Sequence, residues 1–273
     1  MSNNRSLRTS QSDFLSRDFT LKAYKSYLQA ILSSFPQIIT FLDFFTFDPK
    51  PESFCIIRHD VDRKPMNALK MAELEMIMGI RSTYYFRTKH SSFNPNIIKS
   101  ILNLGHDIGY HYECLSDTNG IDDLAIVDFE KNLTQLRKIC PIHTIAMHGS
   151  PLKPYNNSEI WRNPQNRSQL KNKYNIIGDL YIDIDYSDIA YITDTGRNWL
   201  SSKYNIRDKV DSHVKTDFLN GRKLYDFLRN NPHPKLIFQV HPERWSPNDI
   251  DFILQLCIDK GTNFLKLLIN AVK

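Results

Sequence analysis

Between residues 54 and 147 the chain alternates short apolar runs with longer amphipathic stretches, at intervals of about 10–15 residues. No other feature narrows the choice of fold as much. Apolar runs fall at 54–57, 82–86, 107–112 and 143–147, with helix-patterned stretches between them at 65–79, 94–104 and 122–139. Gly79 and Gly105 stand where two of these helices should end, and Pro141 stops the third. Repeats of strand, helix and strand build a parallel sheet with helices against its faces. A helix is expected ahead of them over 19–32, and 38–47 is ambiguous. Beyond Ser150 the rhythm weakens. Residues 151–175 read as polar loop with room for one turn of helix, 181–194 as strand-like and 198–218 as a second long loop. A helix near 221–230, an apolar strand at 236–240 and a helix from about Asn248 restore order. Long loops in a compact α/β chain are more often functional than accidental.

The first strand runs directly into charge, as Arg58-His59-Asp60-Val61-Asp62. Side chains alternate along a strand, so Arg58, Asp60 and Asp62 share one face and His59 takes the other. Two carboxylates so placed repel unless a metal ion or an arginine lies beside them. The competing structural reading makes these acids caps of the next helix, for which Asp and the following Pro65 are both suited.

Further polar clusters fall where strands should end: His111 with Glu113, His148-Gly149-Ser150-Pro151, Asp194-Thr195-Gly196-Arg197-Asn198-Trp199, and His241-Pro242-Glu243-Arg244-Trp245. In parallel α/β folds the carboxyl ends of strands meet at one rim, where ligands and catalytic groups gather. Several such clusters in the same relative position make a shared site the better reading. His111 and Glu113 share a face if their strand extends that far, whereas His106, at an odd offset from His111, points away into the core. Asp and His with a third donor and an open position form a catalytic divalent-metal set. His148 reads either as a rim residue or as a loop residue turned to solvent. His241 leaves an apolar strand and so faces the rim.

Composition excludes several classes. Apolar residues make up 41% and charged residues 24%, as in an ordinary globular protein. The net charge of +5 is dispersed, with no Lys/Arg run to suggest nucleic-acid binding. Cys55, Cys114, Cys140 and Cys257 form no CxxC pair, which argues for free thiols in a reducing compartment. Residues 1–11 lack the apolar segment of a signal peptide, and 31–47 is broken by Pro36 and Asp43, so no integral membrane segment is expected. These readings together predict a cytoplasmic protein. Residues 1–17 read as a mobile tail, with 18–273 as one domain.

Three motifs carry a resemblance: Arg58-His59-Asp60-Val61-Asp62, Gly105-His106-Asp107-Ile108-Gly109-Tyr110-His111, and Val240-His241-Pro242. In their order and spacing the chain, from about Phe19 onward, resembles the polysaccharide deacetylases of carbohydrate esterase family 4. The closer resemblance is to deacetylase-like proteins of surface-polysaccharide biosynthesis. The resemblance implies a distorted (β/α)7 barrel in a single domain. It also implies a divalent metal cofactor, with zinc expected, and a sugar or glycan substrate, nucleotide- or lipid-linked among the options. Asp60 would match the general base, Asp62 the first metal ligand, His111 the next ligand and His241 the general acid. His148, Asp194, Trp199 and Arg244 would help to bind substrate. Tyr110, Tyr112, Tyr191, Trp199 and Trp245 would suit stacking on sugar rings, though aromatics equally serve as core filling.

The chain departs from the family at the second metal-binding histidine, where it has Leu115. Strand parity nominates Glu113 as the substitute ligand, with His148 second. The arginine that braces the base is absent from its usual motif; Arg58, on the same face as Asp60, is the replacement expected to tune its pKa. Two other readings remain open. One is a barrel that binds sugar or serves assembly without catalysis, and the other is a metal-dependent hydrolase of a small amide.

Overall fold

The computed structural model describes residues 17–200, 205, 207, 209–230 and 232–272, the side chains of 265–272 excepted. The tail expected at 1–17 therefore lies outside the described residues, apart from Arg17. The strands are β1 (Ile38–Ile39), β2 (Phe54–Val61), β3 (Thr83–Phe86), β4 (Asp107–Tyr112), β5 (Thr144–Met147), β6 (Gly178–Asp179), β7 (Ala190–Thr193) and β8 (Lys235–Val240). They form one sheet in the order β6-β5-β4-β3-β2-β8-β7, with β1 beside β2, and every pairing is parallel.

All eight residues of β2 are buried. Parallel strands are covered on both faces, which is why this segment is apolar until its final charged residues. The helices Pro65–Ile77, Pro95–Asn103 and Asp122–Arg137 pack outside, as the sequence rhythm predicts. On the inside, Ile39, Phe54, Tyr85, Ala146, Leu180 and Tyr191 belong to one apolar cluster. Because that cluster joins residues from both ends of the strand order, the sheet must be rolled. The result is the expected distorted (β/α)7 barrel. Gly109 shows how tightly it closes: a Cβ there would stand 2.2 Å from the Tyr85 ring. Only glycine lets that ring cross the barrel beneath His111.

The second half holds more structure than its sequence advertises. Residues read as loop contain a 3₁₀ turn, Asn157–Trp161, and a helix, Pro164–Asn172. The only buried side chain of that helix is Leu170, so it has no apolar stripe to betray it. Conversely, of the strand-like stretch 181–194 only Ala190–Thr193 pairs. Cys55, Cys114 and Cys140 are buried and Cys257 is exposed, all as free thiols. Among the described residues no helix is long and apolar enough to cross a membrane.

Candidate active site

Arg58 and Asp60 lie on the inner face of β2. The guanidinium grips the carboxylate with two bonds, Nε to Oδ1 and Nη2 to Oδ2, both 2.8 Å. Gln239, opposite Arg58 on β8, donates Nε2 to Asp60 Oδ2 at 2.7 Å. The Tyr181 and Tyr191 hydroxyls accept from Arg58 at 3.1 and 3.5 Å. Burial alone would raise the Asp60 pKa, but Arg58, helped by His111 and His241, holds it below the usual carboxylate range. Arg58 thus takes the position expected of it. His59, on the opposite face, meets Glu75 at 2.7 Å, and His106 is buried against the Ala72 carbonyl, away from the rim.

Beyond the ends of β2, β4 and β5 three side chains converge. His111 Nδ1 lies 2.9 Å from the Ala146 carbonyl oxygen. A carbonyl only accepts, so Nδ1 carries a proton and Nε2 is the nitrogen turned to the centre. That Nε2 stands 3.5 Å from Asp62 Oδ1 and 3.6 Å from Asp60 Oδ2. His148 is built the same way: Nδ1 donates to Glu113 Oε2 at 2.9 Å, and Nε2 stands 3.5 Å from the same Asp62 oxygen. Asp62 Oδ1 is buried without a hydrogen-bond partner.

Two imidazole nitrogens facing one carboxylate oxygen require a positive charge among them, either a proton or a metal ion. Burial opposes a charged His148, yet Asp62 and Glu113 outweigh it and lift the imidazole to about 10. Among the described residues no group of three His, Cys, Asp or Glu side chains is placed to hold a metal ion as it stands. What the site offers is this convergence on an orphaned oxygen, with both outer imidazole nitrogens anchored as metal-ligating histidines are. A carboxylate oxygen and two imidazole nitrogens are donors of the kind that zinc-type ions take.

Glu113, nominated as a ligand, occupies a different place. Arg87 holds its carboxylate through Nε and Nη2, each at 2.8 Å, and His148 Nδ1 and Ser150 Oγ both reach its Oε2, at 2.9 and 3.5 Å. Burial would raise Glu113, but His148 and Arg87 bring it down to about 2. It therefore orients His148 and leaves the centre to others. His148, nominated chiefly for substrate, stands at the centre instead.

Across the mouth, His241 Nδ1 lies 2.6 Å from Asp194 Oδ1. Asp194 also accepts from the His241 amide, Trp245 Nε1 and Arg244 Nη1, at 3.0, 2.8 and 2.6 Å. Burial pushes Asp194 up, but Arg244 and His241 bring it down to about 2. Burial and Arg244 push the His241 imidazole down, and Asp194 more than restores it, to above its ordinary value. Asp194 is fully buried behind His241, so its expected contact with substrate is corrected to bracing the imidazole. Arg244 shares that bracing and also lines the cavity.

Trp199 is a second correction. It is buried among Phe19, Tyr27, Phe238 and Trp245, with Nε1 donating to Asp18 at 2.7 Å. Tyr110, Tyr112, Tyr191 and Trp245 are buried as well, and none of them lines the cavity. The aromatics expected at the rim are core.

The cavity, about 250 Å³, is walled by Asp62, His111, His148 and His241 and by polar groups that local sequence pattern does not single out, such as Arg63 and Asn263. Asp60 is fully buried beneath it and is not part of the wall. Glu243 is another residue whose importance the sequence left unweighed. It is buried in the wall, its Oε2 has no partner, and burial together with Asp62 raises its pKa to about 7.

No family model matches this chain, and no curated protein matches it. Among solved structures it is similar to a CE4 family pseudoenzyme from Bacillus anthracis, with 11% identity and a TM-score of 0.41 over 76% of this chain and 60% of that one. A mutant of that pseudoenzyme described as having restored enzymatic activity matches at 9% identity and a TM-score of 0.40, over 78% and 62%. The Xyl-CE4 domain of a multidomain xylanase from the hindgut metagenome of Trinervitermes trinervoides matches at 12% identity and 0.42, over 81% and 85%. The chain thus spans about 60% of the length of the first structures it matches.

Proposed function

We propose that this protein is a metal-dependent hydrolase that removes an N-acetyl or O-acetyl group from a sugar or glycan. The observation that carries the reading is the convergence of His111 Nε2 and His148 Nε2 on the orphaned Asp62 oxygen, 3.5 Å from each. Asp62, His111 and His148 would hold the ion, zinc being the best match to one oxygen and two imidazole donors. When bound, such an ion polarises an acyl carbonyl and lowers the pKa of water.

The chain's own groups supply the proton transfers. Asp60, kept ionised by Arg58, accepts a proton from water. His241, whose imidazolium is favoured by Asp194, delivers one to the departing amine or alkoxide. Each such group is typically worth about 10²–10⁴-fold in rate. A role in surface-polysaccharide biosynthesis, supported by the motif resemblance, and a cytoplasmic location, supported by the free thiols of Cys55, Cys114, Cys140 and Cys257, belong to the same proposal.

One observation favours a second reading, sugar binding without turnover: Asp60 lies under the cavity floor rather than in its wall. The deciding experiment assays the zinc-loaded protein and its Asp62→Ala variant against N- and O-acetylated sugars, with small ureides and amides in parallel. Release of acetate from sugars, lost in the variant, supports the hydrolase. Tight sugar binding without acetate release supports the second reading, and turnover of the small amides alone overturns the sugar assignment.

A further inference from the structure

The helix Asp249–Val272 is amphipathic with its faces reversed. Apart from Phe252, which packs against the core, its inward side is largely polar: Gln255 and Asp259 are buried and bonded to one another at 3.0 Å. Asp259 pairs with Arg197 at 3.2 Å, and Asn263 Nδ2 donates to the Gly196 carbonyl at 2.7 Å. Asp259, Thr262 and Asn263 form part of the cavity wall. Its outward side is apolar: Ile250 is 75% exposed, Ile253 58%, Leu254 59%, Ile258 44% and Phe264 62%. Exposed Cys257 stands midway along this row. Single exposed apolar residues are ordinary. A row at i, i+3, i+4, i+7, i+8 and i+14 is one helical face, the one that globular proteins turn inward.

We infer that this face joins two copies of the chain, helix against antiparallel helix, about a two-fold axis at Cys257. Three observations favour a second copy. The five exposed side chains offer on the order of 500 Å² per copy, so pairing them buries about 1,000 Å², the size at which specific interfaces begin. A two-fold at Cys257 sets Ile253 opposite the second copy's Gly261, where a side chain would meet open space, and Ile250 opposite its Phe264. At Ile253 a large side chain then meets a small one, Ile250 and Phe264 meet as two apolar groups, and the 3–4 spacing suits helix pairing. Finally, Asp249 and Asp251 against Lys260 leave the described part of the helix without the basic border by which helices settle on anionic membranes.

The test is sedimentation of the full chain over a wide concentration range, with Ile253→Glu beside it. A dimer is expected, and the exposed position of Ile253 leaves the variant folded but loosens the pair roughly 100-fold, since a charge must be buried at its centre. A short bismaleimide gives an independent readout: it should link two copies through Cys257, the only exposed cysteine among the described residues, and fail in Cys257→Ser. A protein monomeric at every concentration overturns the inference. So does a dimer that Ile253→Glu leaves intact and that Cys257 does not cross-link.

Discussion

Glu113 Oε2 lies 2.9 Å from His148 Nδ1 while Arg87 holds the same carboxylate by two bonds of 2.8 Å. The arginine fixes the acid, the acid fixes the imidazole, and Nε2 is left aimed at Asp62. Partners of this kind are typically worth about 10–100-fold in metal affinity. Glu113→Gln should therefore weaken zinc binding by that factor, measured by competition with a chromophoric chelator, with the fold intact by circular dichroism. Affinity equal to that of the parent would remove Glu113 from the site.

Zinc binding should also release a proton. His148 is raised to about 10, so the metal-free protein holds it charged at pH 7, and a metal ligand must be neutral. Affinity should rise with pH while that proton is present. Calorimetric titrations at pH 7 in two buffers of different ionisation enthalpy should report about one proton displaced. Heats that do not depend on the buffer would contradict this.

The sequence exposes this site unevenly, and the reasons are local. Arg58 and Asp60 share a face because both lie within a regular strand, so alternation alone pairs them. The same parity misleads at Glu113. β4 ends at Tyr112, and Glu113 has ψ 25°, outside the extended region, so its side chain no longer follows the strand. His148 lies past β5, its amide bonded to the Tyr112 carbonyl at 2.7 Å, a contact between segments that no local pattern encodes. Trp199 and Trp245 sit in polar clusters, yet their rings stack into the core. Arg63 and Asn263 reach the cavity from distant parts of the chain, so only the tertiary fold identifies them.

Behind β2, Glu75 is fully buried and accepts from His59 Nε2 at 2.7 Å, Ser82 Oγ at 2.5 Å, Tyr84 OH at 2.8 Å and the Tyr24 hydroxyl. Burial favours the neutral acid, but His59 and its neighbours bring it to about 2, from an ordinary 4.5. A depressed carboxyl contributes stability that is present above about 4.5 and is lost as pH falls toward about 2. Breaking a buried pair by removing one partner costs about 3–5 kcal/mol. Glu75→Ala should lose that much in thermal or urea unfolding, and its stability should change less than that of the parent on acidification from pH 5 to about 3. A loss under about 1 kcal/mol would show that the network carries little weight.

The buried pair of Arg58 and Asp60 is a different case, because here the charge serves chemistry under the proposed function. The guanidinium opposes burial and keeps Asp60 ionised. Without it, burial dominates and the carboxyl takes up a proton at higher pH, so the free enzyme would lose its base earlier on acidification. Arg58→Met, chosen to keep apolar volume among Tyr85, Tyr181 and Tyr191, should shift the acidic limb of the kcat/KM profile upward. Zinc affinity should change less, because Arg58 touches none of Asp62, His111 and His148. An unmoved acidic limb in a folded variant would mean that Asp60 is not the group titrating there, and the proposed base would have to be sought among residues that face the cavity, with Glu243 first.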